Sequence, residues 1–511
     1  MSSKRTMVRL ALVLTLVALA PPAAAHAKAP PNSYLVGSAT RSINPDPDGT
    51  FAGKPVYLGG YGIGGGSPVF QGRPATGVLG DGVSVRAFAV SDGHSPFAIA
   101  DIEAQGWFVA LKNGPYGLLD MRKEVERRTG GALPAENVVI QSDHSHSGAD
   151  ALGVWGGVPD EYLKYVADQT VDAIVAAFTS MQPATLYYGT APGRDLLSNQ
   201  FDYDAANQVV DSDVRVLQAR SGKKPLFTLL NFSAHATVLG SSNRKISGDW
   251  VQAANPLLEQ RFGGKAVTVV GTLGRTQPAD RSCSDPTATS EDAQNLCKIH
   301  DYAARVVDRA ADAVANAQPV SGSSVAVRSY LVEDASTNAL ILGFEYAGST
   351  FGIPLNRAMT PPWLTGNVLG SVTASARIGD VLLSAGPGEM YPQIPLKVSS
   401  IVPVRGEMTA GLAGDQLGYL IAPYEAYPEP IRRSFFNQRG DEVSPIDNDN
   451  YFFNVSPTMG ERVTCSLLRG AGEVFGRGLD YWSQYDRCLT FTDDTQLPAG
   501  SDTGFPIGGL G

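Results

Sequence analysis

The chain predicts an α+β fold of mixed sheets covered by helices, and three observations carry that reading. Short β-branched and aromatic runs alternate with amphipathic helical segments through the first part of the sequence. Farther on, strand-like runs follow one another without helices between them, so the sheets are mixed rather than doubly wound. With 56 Gly and 34 Pro in 511 residues, the chain favours many loops between short elements over long helices.

In order, residues 83–104 read as two strands, VRAFAVSD and FAIADIEA, joined by the turn Gly93-His94-Ser95-Pro96. A helix is predicted over 117–128, and NVVIQSD at 137–143 reads as a strand buried on both faces. Residues 160–178 place Leu163, Val166, Ala167, Val171 and Ile174 on one helical face. Strands are expected at 185–188, 214–218, 226–233 and 266–271, with helices near 251–262 and 301–314. The strands without intervening helices are 324–332, 339–346, 373–378 and 380–384.

Lys4, Arg5 and Arg9 precede an apolar run at 10–20 and a small-residue stretch at 21–27, the pattern of a secretory signal peptide cleaved after Ala25 or Ala27. The run is shorter than the ~20 residues that span a bilayer. Residues 1–27 are therefore expected to be a signal peptide, 28–457 one large catalytic domain, and 458–511 a disulfide-containing extension with a flexible end. The expected product is secreted or extracytoplasmic, with no transmembrane segment in the mature chain. A net charge of -10 with scattered Lys and Arg gives no footprint for nucleic acid and no polybasic stretch for anionic lipid. The four cysteines allow three pairings, and the sequence-local one, Cys283 with Cys297 and Cys465 with Cys488, is favoured because each pair brackets a polar loop.

Three histidines stand just after apolar strands: His144 and His146 in DHSHSG, and His235 after LFTLLNFSA. Carboxyl ends of strands are where ligands and catalytic groups gather in open sheets. In an extended segment the i, i+2 spacing of His144 and His146 puts both rings on one side. Glu389, in SAGPGEM after another strand, supplies the carboxylate that completes a His-rich Zn2+ site with a position open for water, and its glycines let the backbone turn sharply. Taken singly, each of these residues also reads as a structural histidine or a turn glutamate. Asp101 and Asp249 are candidates to accept the other ring N–H groups, or else they cap a strand end and a turn.

These motifs resemble those of the neutral/alkaline non-lysosomal ceramidase family over residues 34–454: Gly59-Gly60-Tyr61-Gly62, VRAFAVSDG with IADIEAQG, NVVIQSDHSHSG, NFSAHAT with ISGDW, GPGEM, and LGYLIAPYEAY. The resemblance implies a zinc amidohydrolase for ceramide-like N-acyl lipids. His144, His235 and Glu389 would be metal ligands, Tyr427 a phenolic ligand or near neighbour with a catalytic role, and His146 the catalytic residue beside the metal. Tyr424 is a rival to Tyr427, because the E-A-Y spelling is shorter than the family's. In Gly274-Arg275-Thr276-Gln277-Pro278, Thr276 and Gln277 fall at a segment near the substrate where the family has a serine at the position of Gln277. LLSNQF at 196–201 lacks the arginine expected there, and the family's C-terminal immunoglobulin-like domain has no counterpart in the sequence after Asn454. These departures leave room for a hydrolase of the same fold acting on another amide or ester, or for a catalytically silent binding protein.

Overall fold

The computed structural model describes residues 33–61, 72–199, 209–274, 276–336, 338, 341–343, 355–358, 368–422 and 453–491. The expected signal peptide, Tyr424, Tyr427 and the final PAGSDTGFPIGGLG lie outside these residues. The elements that position the site are β1 (Tyr34–Ser42), β2 (Ser84–Ser91), β3 (Pro96–Ile102), α1 (Leu118–Arg128), β4 (Val138–Ser142), α2 (Asp160–Thr179), β5 (Gln182–Pro192), β6 (Asp213–Ser221) and β7 (Lys224–Phe232). They continue with α3 (Asp249–Phe262), β8 (Lys265–Val270), α4 (Glu291–Ala315), β9 (Val325–Ala335), β10 (Val368–Ile378), β11 (Val381–Ala385), α5 (Gln393–Ile401), β12 (Gly406–Ala410) and α6 (Met459–Val474).

The larger sheet runs β8-β7-β6-β5-β1-β2-β3-β4, with Gln318–Pro319 added beside β5. Its inner pairs are antiparallel, and its two ends, β7–β8 and β3–β4, are parallel. The smaller sheet runs β9-β10-β11-β12, with a parallel pair β11–β12. The side-chain alternation sets the layers. Along β2, Val85, Ala87 and Ala89 pack with α1 and α2, while Phe88 and Val90 point the other way, into a core shared with Val325, Ala376, Leu383 and Met408 of the smaller sheet. The outer face of β6 to β8 packs under α3 and α4, and the outer face of the smaller sheet packs under α5 and α6. The result is a helix–sheet–sheet–helix stack. Strands covered on both faces read as nearly unbroken apolar runs, which is why NVVIQSD showed no alternation.

Two local expectations are corrected. Of the strand expected at 339–346, the described residues Ile341 to Gly343 are helical; apolar content alone does not separate a short strand from a helical turn. Helix α4 starts at Glu291 instead of near 301. Its first turns are polar, and what starts it is the Ser290 side chain, which accepts a hydrogen bond from the Ala293 N–H. The disulfides are Cys283–Cys297 and Cys465–Cys488. The second joins α6 to the segment after it, and Cys465, Leu467, Leu468 and Ala471 of α6 share a core with Val332, Leu369 and Leu382 of the sheet. Among the described residues, no helix is long and apolar enough to cross a membrane.

Candidate active site

Three strand ends converge on one buried point. His144 follows β4, His235 follows β7, and Glu389 follows β11, carried by a short strand that pairs in parallel with Tyr419–Leu420. Glu389 Oε1 lies 3.4 Å from His144 Nε2, and its Oε2 lies 3.1 Å from His235 Nε2. His146 Nε2 is 3.1 Å from His144 Nε2. The nitrogens of His144, His146 and His235 all lie within 4.8 Å of one another, a grouping that could hold a metal ion.

The two rings of the HSH segment meet by a turn and not by strand periodicity. Strand β4 ends at Ser142, and His144 has φ +61°, a left-handed conformation uncommon outside glycine and characteristic of functional sites. His146 is then held from outside. Arg73, itself buried, donates through Nη2 to the His146, Gly59 and Gly60 carbonyls at 2.5, 2.5 and 3.1 Å, and its guanidinium lies over the Tyr61 ring. Tyr61 packs edge-on against His146. Gly60 has φ +66°, and a Cβ there would sit 2.4 Å from His146 Cγ. Near Glu389 the glycines serve close approach and not positive φ: a Cβ on Gly388 would stand 2.4 Å from the Gly418 carbonyl oxygen.

Ring tautomers follow from the backbone. His144 Nδ1 meets the Gln105 carbonyl at 2.7 Å and His235 Nδ1 meets the Thr276 carbonyl at 2.8 Å. A carbonyl only accepts, so each Nδ1 carries a proton, and in the neutral ring each Nε2 presents a lone pair. Backbone carbonyls thus take the place expected for Asp101 and Asp249, neither of which hydrogen-bonds to a site histidine. Asp249 instead accepts from the Val238, Leu239 and Trp250 N–H groups, tying the segment after His235 to the start of α3; burial pushes its carboxyl up to about 6. Asp101 faces the buried Glu103 and Asp143, and burial, with Glu103 beside it, pushes its carboxyl well above the usual range.

Burial holds His144 below the ordinary imidazole range, and burial together with its histidine neighbours holds His146 well below it. Both rings are therefore neutral near pH 7. For Glu389, burial acts to raise the carboxyl, but the neighbouring His144 and His235 and a hydrogen bond from Tyr419 outweigh it and hold it low. The site then has lone pair facing lone pair at His144–Glu389 and His235–Glu389. A cation at that point turns these contacts from repulsive to attractive, and two imidazole nitrogens with a carboxylate suit Zn2+.

The cavity over this cluster has a volume near 300 Å³. Phe108, Leu152, Val154, Trp155, Leu417 and Phe453 supply apolar wall; Gln105, Thr237, Gln277 and Tyr419 supply polar groups. Gln277 sits on a ribbon in which Leu197–Asn199 pairs with Thr276–Pro278, so the two departures noted in the sequence, LLSNQF and GRTQP, are neighbours in space. Arg73, Tyr419 and Gln105 were missed. Tyr419 and Gln105 sit in quoted motifs and could have been flagged as polar residues beside ligands; Arg73 has no local signal.

No family model matches the sequence, and no curated protein matches it either. Solved structures share the fold. The neutral ceramidase from Pseudomonas aeruginosa superposes with a TM-score of 0.65 at 17% identity, over 87% of this chain and 75% of that one. A ceramidase complexed with C2 gives 0.64 at 16% identity, over 87% and 76%. The chain therefore has a neutral ceramidase-like fold.

Proposed function

We propose that the protein is a secreted zinc-dependent amidohydrolase that cleaves N-acyl compounds with an apolar acyl chain. The observation that carries the reading is the pair of imidazole lone pairs facing the two Glu389 oxygens at 3.4 and 3.1 Å at the floor of an apolar cavity, in a ceramidase-like fold. His144, His235 and Glu389 would hold the metal, because both rings are locked by carbonyls as Nε2 ligands. His146 is left for substrate, since its Nδ1 has no hydrogen-bond partner among the described residues. Bound zinc would supply Lewis acidity and a water whose pKa is lowered toward ~7.

The chain's own residues do the rest. The Phe108, Leu152 and Trp155 wall takes the acyl chain and excludes water from the amide. A neutral His146 keeps one N–H and one lone pair, so it can donate to the amide carbonyl oxygen or pass a proton to the leaving amine, work typically worth ~10²–10⁴-fold. Arg73 and Tyr61 fix the backbone and edge of that ring, and Tyr419 orients Glu389. Tyr427 and Tyr424 remain candidates for a phenolic ligand. A hydrolase acting on another amide or ester is the second reading, and Gln277 in the cavity wall favours it over strict ceramide specificity. Incubating the purified mature chain with N-acylsphingosine and other N-acyl amines, with and without a chelator, tests the proposal: metal-dependent fatty-acid release supports it, and chelator-insensitive release or none contradicts it.

A further inference from the structure

Among the described residues, Arg357 lines the cavity and Arg73 and Arg281 stand behind its wall, and two of these three are spoken for. Arg73 is committed to four carbonyls, and Arg357 is paired with Asp415 at 3.2 Å. Arg281 is exposed and has no carboxylate partner among the described residues; its Nη2 donates to Gln277 Oε1 at 2.9 Å. That same oxygen accepts from the Thr237 hydroxyl at 2.6 Å. Two donors on one oxygen fix the orientation of the Gln277 amide. Its Nε2 is left without a hydrogen-bond partner among the described residues, beside the unengaged N–H groups of Arg281. Gln277 lines the cavity, so this hydrogen bond holds the exposed Arg281 at the cavity rim.

Gln277 Nε2 and the Arg281 guanidinium therefore present only donors here: one amide NH2 and one guanidinium. Neither can accept a hydrogen bond, so what they complement is an acceptor, best an anion, since charge-assisted bonds are roughly twice as strong as neutral ones. The position limits how far that anion lies from the scissile bond. Thr276, whose carbonyl locks His235, is the residue immediately before Gln277. Gln277 lines the same cavity as the cluster, so an anion bound there belongs to the molecule whose amide lies over the cluster, as the carboxylate of an N-acyl amino acid does.

We infer that Gln277 and Arg281 form a carboxylate-recognition site, and that the substrates are N-acyl amino acids. The inference rests on the amidohydrolase reading and narrows it. In the bound substrate the acyl chain lies along the apolar wall, the amide over the His–Glu cluster, and the amino-acid carboxylate on Gln277 Nε2 and Arg281. Hydrolysis adds one water across the C–N bond and releases a fatty acid and a free amino acid.

The test is calorimetric binding of N-lauroylglycine and N-lauroylethanolamine to the zinc-loaded protein and to its Arg281→Gln variant. The two ligands share the acyl chain and amide and differ in carboxylate against hydroxymethyl. The wild type is expected to prefer the glycine conjugate by about tenfold, the scale of one charge-assisted contact, and Arg281→Gln is expected to abolish most of that preference. Equal binding by the wild type, or a preference that survives in the variant, overturns the inference. Release of glycine is followed in parallel. Carboxylate preference without release contradicts the amidohydrolase reading alone; release without carboxylate preference contradicts the present inference alone.

Discussion

His235 and Glu389, 154 residues apart, face each other at 3.1 Å while the other nitrogen of the same imidazole is already held by the Thr276 carbonyl. That relationship organises the site. A ring committed at Nδ1 has only a lone pair to offer a carboxylate, and burial works against protonating the neighbouring His144 and His146 to relieve the contact.

Arg73 should govern His146 without touching the metal donors. Its planar guanidinium serves four carbonyls and stacks on Tyr61, a geometry that a lysine ammonium does not reproduce. Arg73→Lys is expected to lower kcat by about tenfold or more with bound zinc retained, and to cost roughly 1–3 kcal/mol of stability through unpaired buried carbonyls. Unchanged kcat in a variant with lowered Tm would show a purely structural role.

Glu407 should make stability fall with pH. It is buried where the two sheets meet, and burial, partly offset by Arg215, raises its carboxyl from an ordinary value near 4.5 to about 8. Below pH 4.5 both folded and unfolded chains hold the proton; between 4.5 and 8 only the folded chain does, so stability declines across that window and levels off above it. Glu407→Gln keeps a partner for Ser384 and removes the titration. Its stability relative to wild type is expected to be higher at pH 8 than at pH 5 by on the order of 2–4 kcal/mol in urea unfolding. An identical difference at both pH values would contradict this.

The Cys465–Cys488 bridge closes a short loop onto the core beneath the smaller sheet. Replacing both cysteines with alanine is expected to cost roughly 2–4 kcal/mol on the chain-entropy account. Urea midpoints report it, and a change below ~0.5 kcal/mol would mean that packing of α6 alone holds this segment.

Much of this architecture is legible in the sequence because strands covered on both faces leave long apolar runs, and because chemistry collects at their carboxyl ends. His144, His146, His235 and Glu389 each follow such a run, so their residue types and positions could be picked out. What cannot be read there is which acceptor meets each ring. A backbone carbonyl, such as those of Gln105 and Thr276, leaves no trace in residue type, so Asp101 and Asp249 were the visible candidates. Arg73 escaped for a related reason: its partners are also carbonyls, 13 to 170 residues away. The polar start of α4 was missed because its amphipathic face emerges only later in the helix.

The central claim is that His144, His235 and Glu389 bind zinc while His146 acts on substrate. Metal content by mass spectrometry, measured beside turnover for the wild type, His235→Ala and His146→Ala, tests it most directly. The account predicts one zinc per chain in the wild type, loss of both metal and activity in His235→Ala, and loss of activity with most of the metal retained in His146→Ala. Stoichiometric zinc in His235→Ala, or a metal-free wild type that still turns over substrate, would contradict it.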